Sequence, residues 1–187
     1  MANDYALATT AQNFNTVQSL SHLATTIFDG AIPTRNLACE HDTTCESKLL
    51  MLVHDTLYHQ CQITLHSMVV PLFSGVPIDS TIDPETQKKS AETVTHHADL
   101  FENLLTTYLR GESDVTRIPP LVGYGAFITG VVFLTTEISC QEKELHGISI
   151  KTDKRNRRLA ATKSMLHILD ALRAYWRALQ HPVSLMY

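Results

Sequence analysis

The chain has 187 residues, 44% hydrophobic and 18% charged, with a formal net charge of −4. That length fits one domain of about 100–200 residues, and the apolar share excludes a disordered, collagenous or highly charged tail protein. Charge is uneven: residues 1–150 hold 7 Lys+Arg against 17 Asp+Glu, and residues 151–187 hold 8 against 2, so the basic C-terminal region can meet an acidic partner or the acidic body of its own domain.

The first periodic segment is 12–28. Phe14, Val17, Leu20, Leu23, Ala24, Ile27 and Phe28 recur at three- and four-residue steps, which predicts an amphipathic helix ended by Asp29-Gly30. Residues 30–46 have no clear period and read as a loop. Residues 47–73 carry a wide apolar stripe, including Leu49, Leu52, Val53, Leu57, Cys61, Leu65, Met68 and Leu72, and predict a long buried helix with Ser47 as a cap. Asp83-Pro84-Glu85 combines an N-cap, a proline at the first helical position and an acid in the first turn, so a helix is expected over 84–110, stopped by Gly111.

Pro119-Pro120 opens a segment, 120–138, that is apolar on all sides and is therefore expected to be the most buried helix. Gly123, Gly125 and Gly130 lower its helix propensity and point to close approach of another helix or of a ligand. After a polar connection at 140–151, a last helix is expected over 153–180, with His181-Pro182 as its stop. Five helices and no convincing strand make the expected fold class all-α, packed as a single helical domain.

Other signals bound the setting. No run of about 18 apolar residues is free of polar breaks, which argues against a membrane span, and Met1-Ala2-Asn3-Asp4 lacks the parts of a secretory signal. Four irregularly spaced cysteines, Cys39, Cys45, Cys61 and Cys140, fit a reducing intracellular setting, nuclear or cytoplasmic.

Ten histidines stand out, because histidine changes charge near neutral pH and serves as acid, base or ligand. Seven residues turn a helix by roughly 700°, so His59 and His66 share a face. His54 lies on the apolar stripe with Tyr58. These groups form either a polar spot in a helical pocket or core histidines satisfied by hydroxyls and carbonyls. A pocket between the 47–73, 120–138 and last helices would gather His54, Tyr58, His59, His66, Tyr124, Phe127, Tyr175 and Trp176 as ligand-binding candidates, with His54 or His59 as the acid–base group of an enzyme.

Cys39, His41 and Cys45 with Glu40, Asp42 and Glu46 are metal-ligand types, but they lack a second pair at zinc-finger spacing, and no metal is expected. His96-His97 read as an exposed, solvated pair. No nucleophile elbow, phosphate loop or dinucleotide fingerprint occurs, so no cofactor is expected. Lys151 to Arg158 is a basic cluster, either a solvated stretch before the last helix or a phosphate or nuclear-import contact.

Leu52-Val53-His54, Tyr58-His59 and Leu65-His66, with the seven-residue histidine spacing, resemble the fungal-specific transcription factor domain, the regulatory region of binuclear zinc-cluster factors. Ser90-Ala91 to Leu105, Pro119-Pro120 to Leu134 and Leu166 to Trp176-Arg177-Ala178 resemble its next helices, so the resemblance spans about 47–180. The family's six-cysteine cluster is absent, and Ser67-Met68 stands where Arg-Pro is frequent. The resemblance implies a regulatory module that binds a small molecule or a protein partner, with no specific DNA binding by this chain alone and a homodimer open. The alternative is a stand-alone pocket protein of secondary metabolism, a cofactor-free cyclase or isomerase acting on an apolar metabolite.

Overall fold

The computed structural model describes residues 14–31, 45–75, 82–110, 117–145 and 152–184, except the side chains of 45, 141–145, 152, 154 and 174–184. Those residues form helices joined by short turns, and no strand. In chain order these are α1 (14–31), α2 (Cys45–Ser67), the single turn α3 (Pro71–Ser74), α4 (Pro84–Arg110), α5 (Pro120–Leu145) and α6 (Thr152–Ser184). The all-α class and the single packed domain are as the periodicity predicts.

Several boundaries differ from the sequence reading. Helix α1 continues through Asp29-Gly30 to residue 31. The expected 47–73 helix is two elements, because Pro71 has no N–H to donate and its ring would strike the Ser67 carbonyl. The chain turns instead at Met68–Val70, with the Val70 N–H on that carbonyl at 3.2 Å. Pro71 then starts α3, and Gly75, at φ 68°, closes it with its N–H on the Pro71 carbonyl. Helix α5 runs on through the expected polar connection to Leu145. Residues 154–158 of the basic cluster fall within the first turns of α6 rather than before it, and α6 passes Pro182 to end at Ser184. Helix α4 has the predicted span, and Asp83 caps it by accepting the Thr86 N–H at 2.9 Å. The Thr86 hydrogen bonds hold the Asp83 carboxyl below its ordinary range.

The main pairings are α2 with α4 and α5 with α6, and α4 also packs on α5. Between them lies an apolar core built on Leu52, Ile63, Phe101, Leu105, Val122, Phe133, Met165 and Leu172. Gly125 makes the crossing possible. A Cβ there would overlap the Gln60 amide and fall 2.9 Å from the Phe101 ring. Gly130 faces Met165 at an ordinary 3.6 Å. A smaller cluster, Val17 with Val69 and Val70, ties α1 to the turn after α2.

The acidic body and the basic last helix meet at Glu137 of α5. Its carboxylate is buried and lies 2.8 Å from Arg155 Nε of α6, while Arg158 reaches Cys140 Sγ at 3.0 Å. Helix α5 has the largest share of buried residues among the described helices, as its apolar sequence leads one to expect, but it is not covered on all sides. Val122, Ala126, Thr129, Val132 and Phe133 face the core, but Tyr124, Phe127, Val131, Leu134 and Ile138 are about half exposed. Packing closes one side of this uniformly apolar helix and leaves the other open. Its Pro120–Cys140 stretch is long and apolar enough to cross a membrane by composition, with 44% of it buried against the domain.

Candidate functional site

The candidate residues separate onto two sides of α2. The first side is a polar seam shared with α1 and α4. His59 and His66 do share a face, and Gln62 lies between them. His59 Nδ1 is 2.9 Å from His97 Nδ1, and both rings are buried. In the neutral pair one Nδ1–H donates to the bare nitrogen of the other. His97 is therefore a core residue, which corrects the reading of His96-His97 as a solvated pair; only His96 is exposed. The 100° between adjacent helical residues sends the two rings to different surroundings.

The seam continues on both sides of this pair. Tyr58 stacks on Phe28 of α1 with ring centres 4.1 Å apart and meets His97 edge-on at 5.4 Å. His54 stacks on Phe28 at 4.9 Å, and its Nδ1 is 3.1 Å from Asp55. Gln62 accepts the Ser21 hydroxyl at 2.6 Å and donates to the Ser21 carbonyl and the Thr25 hydroxyl. His66 bridges Ser90 of α4 at 3.3 Å and Ser21 of α1 at 3.1 Å.

Burial shapes the titration of this seam. Loss of solvent pushes His59 below its ordinary range, with Asp55 pulling the other way. The same cause lowers His66. Burial, reinforced by the neighbouring His59, His96 and His66, takes His97 down to about 4. At neutral pH His59, His66 and His97 are thus uncharged, their nitrogens held by one another and by hydroxyls. Sequence reasoning passed over Gln62, His97, Ser21, Thr25 and Ser90, although a signal was present. Each helix carries its polar members at helical spacing: 21 and 25, then 59, 62 and 66, then 90 and 97.

The second side is apolar and open. Along α2, Leu50, Leu57, Cys61, Thr64 and Met68 form an exposed ridge. A groove of about 440 Å³ separates that ridge from Leu20, Leu23 and Ile27 of α1. A second, of about 380 Å³, separates it from Tyr124, Phe127 and Val131 of α5, with Phe73 at its end. Thr64 lines both, so the two grooves flank the same ridge. Phe127 is 54% exposed and Met68 65%.

The structure thus brings His54, Tyr58, His59 and His66 together on the seam and places Tyr124 and Phe127 on the other side of α2. None of the four seam residues lines either groove. The side chains of Tyr175 and Trp176 lie outside the described residues, as do the Cys39–Asp42 part of the cysteine–histidine cluster and the side chain of Cys45. Among the described residues no group of three or more His, Cys, Asp or Glu is placed to hold a metal ion. No family model matches the chain, and comparison with curated proteins and with solved structures finds no match.

Proposed function

We propose that this chain is a helical regulatory module, of the kind the sequence resembles, that works by docking a protein partner on its α1–α2–α5 face and does not bind DNA specifically by itself. The observation that supports the reading is the size of that face. The half-exposed side chains from Leu20 to Ile27, Leu57 to Leu72 and Tyr124 to Ile138 amount to roughly 1,000 Å² of apolar surface, where the largest patch on an ordinary monomer is about 300–600 Å².

The catalytic alternative has less to stand on. Its acid–base candidates are engaged in the seam: His59 is bonded to His97 and His54 is paired with Asp55. The test is to fuse the chain to an unrelated DNA-binding domain and read reporter transcription. A several-fold change over the DNA-binding domain alone is expected, lost when Leu57→Glu and Phe127→Glu are combined. A reporter that the fusion does not move, or that moves equally with the charged variant, overturns the reading.

A further inference from the structure

We propose that the partner seated on this face is the same face of a second copy of the chain, related by a two-fold axis. The proposal rests on the reading that the α1–α2–α5 face is the docking surface, and names its occupant.

Three features of the face argue for self-pairing. The first is area. A stable interface takes about 800 Å² from each partner, and the exposed apolar residues offer roughly 1,000 Å². The second is shape. A two-fold contact sets a surface against itself, so that surface must be self-complementary. A ridge with a groove alongside meets this condition, because rotation places each copy's α2 ridge in its partner's α2–α5 groove. The exposed stripe of α5, at 124, 127, 131, 134 and 138, repeats at the three–four spacing that seats one helix along another.

The third is charge. An isologous contact brings every charge towards its own copy, and a charged patch would repel itself. Residues 120–136 hold no charged side chain, the α2 ridge holds none, and Asp29 is the only acid in α1. The molecule carries 19 acidic groups in all, and every one but Asp29 lies outside these stretches, so the neutrality belongs to the face. The same neutrality disfavours a lipid surface, since helices that lie on membranes carry Lys and Arg beside their apolar face.

Light scattering coupled to size-exclusion chromatography, on the full 187-residue chain up to about 100 µM, tests the pairing. The expected mass is twice the chain's 20.9 kDa. Met68→Glu and Phe127→Glu, each at an exposed position, should weaken the dimer by about 100-fold or more and leave helicity by circular dichroism unchanged. Leu166→Glu, exposed on α6, should leave the dimer intact. A chain that stays monomeric at the highest concentration overturns the proposal. So does a dimer that neither substitution on the face disturbs, or a monomer that floats with phosphatidylcholine vesicles. A monomer whose reporter response still depends on Leu57 and Phe127 sinks the self-pairing alone and leaves the docking reading standing.

Discussion

The two principal helix joints are built from opposite materials. Between α5 and α6 the buried contact is mostly apolar, built on Phe133, Met165, Ile168 and Leu172, with the Arg155–Glu137 ion pair as its charged exception. Between α2 and α4 it is made in large part by His59, His97, His66 and Ser90, with Gln62 adding α1 to the same seam. An apolar joint draws its strength from area removed from water and tolerates no cavity. A hydrogen-bonded joint gains less per contact, but loses heavily when one partner is left buried alone. The first should therefore respond to volume and the second to protons and hydrogen bonds.

The largest expected effect is on the apolar side. Phe101 is fully buried and touches the face of α5 at Gly125. Phe101→Ala should cost about 3–5 kcal/mol. For a chain of this size that lowers the melting temperature by roughly 6–20 °C, measurable by thermal denaturation at neutral pH. A loss below about 1 kcal/mol would mean that the core closes around the void and is not tightly packed.

Acid should act on the other joint. Burial lowers His97 to about 4 and also lowers His59 and His66 from 6.5. The folded state thus binds fewer protons than the unfolded state between those values. The stability that these neutral histidines contribute is complete above pH 6.5 and falls as pH drops towards 4. His97 alone accounts for about 2–3 kcal/mol of that loss, since a second proton on the pair would set two N–H groups against each other at 2.9 Å. Denaturant titration from pH 7.5 to 4 should show this slope. In His97→Leu a markedly shallower slope is expected, and an unchanged one would place the acid sensitivity elsewhere.

The junction of the two regions lies at Gly125, and two glycines of α5 should part company there. Gly125→Ala drives a methyl group into Gln60 and Phe101 and should destabilise by about 1–3 kcal/mol. Gly130→Ala meets only Met165 at 3.6 Å and should be neutral or stabilising by up to about 1 kcal/mol through helix propensity. Equal effects at the two sites would contradict the close crossing.

These contrasts mark how far the sequence could be read. The span of α4 was legible to the residue because Asp83-Pro84-Glu85 is a complete start signal. The Gly-linked close approach on α5 was legible as a kind of contact, with its partner unnamed. The break at Pro71 was missed, because the apolar period of 47–73 runs across it and masks it. The exposure of Tyr124 and Phe127 was not legible: a helix apolar all round carries no mark of which side its neighbours will cover. The seam was half legible. The seven-residue step placed His59 with His66, but nothing local says that the next polar row stands 38 residues on, at His97.

The smallest expected effects give the sharpest version of the contrast, because the same kind of change should have opposite signs in the two regions. Thr129 is fully buried in α5, and its hydroxyl has no hydrogen-bond partner among the described residues; Thr136 of the same helix, by contrast, donates back to the Val132 carbonyl at 2.7 Å. A buried hydroxyl left unpaired costs about 1–3 kcal/mol. Thr129→Val replaces it by a methyl group of similar shape and should raise stability by about 1 kcal/mol. Gln62 is as deeply buried in α2, but its amide makes three hydrogen bonds to Ser21 and Thr25. Gln62→Leu should lower stability by about 1–2 kcal/mol, because the hydroxyl of Thr25 and the carbonyl of Ser21 each lose a partner. Thr25 keeps its bond to the Ser21 carbonyl, so the cost stays at the lower end of what a stripped joint would show. Hydrogen exchange separates this from a general loss: α1 should lose protection first, with α5 and α6 unchanged. If Thr129→Val destabilises, or Gln62→Leu leaves α1 as protected as before, the division between a volume-governed joint and a hydrogen-bond-governed one is wrong.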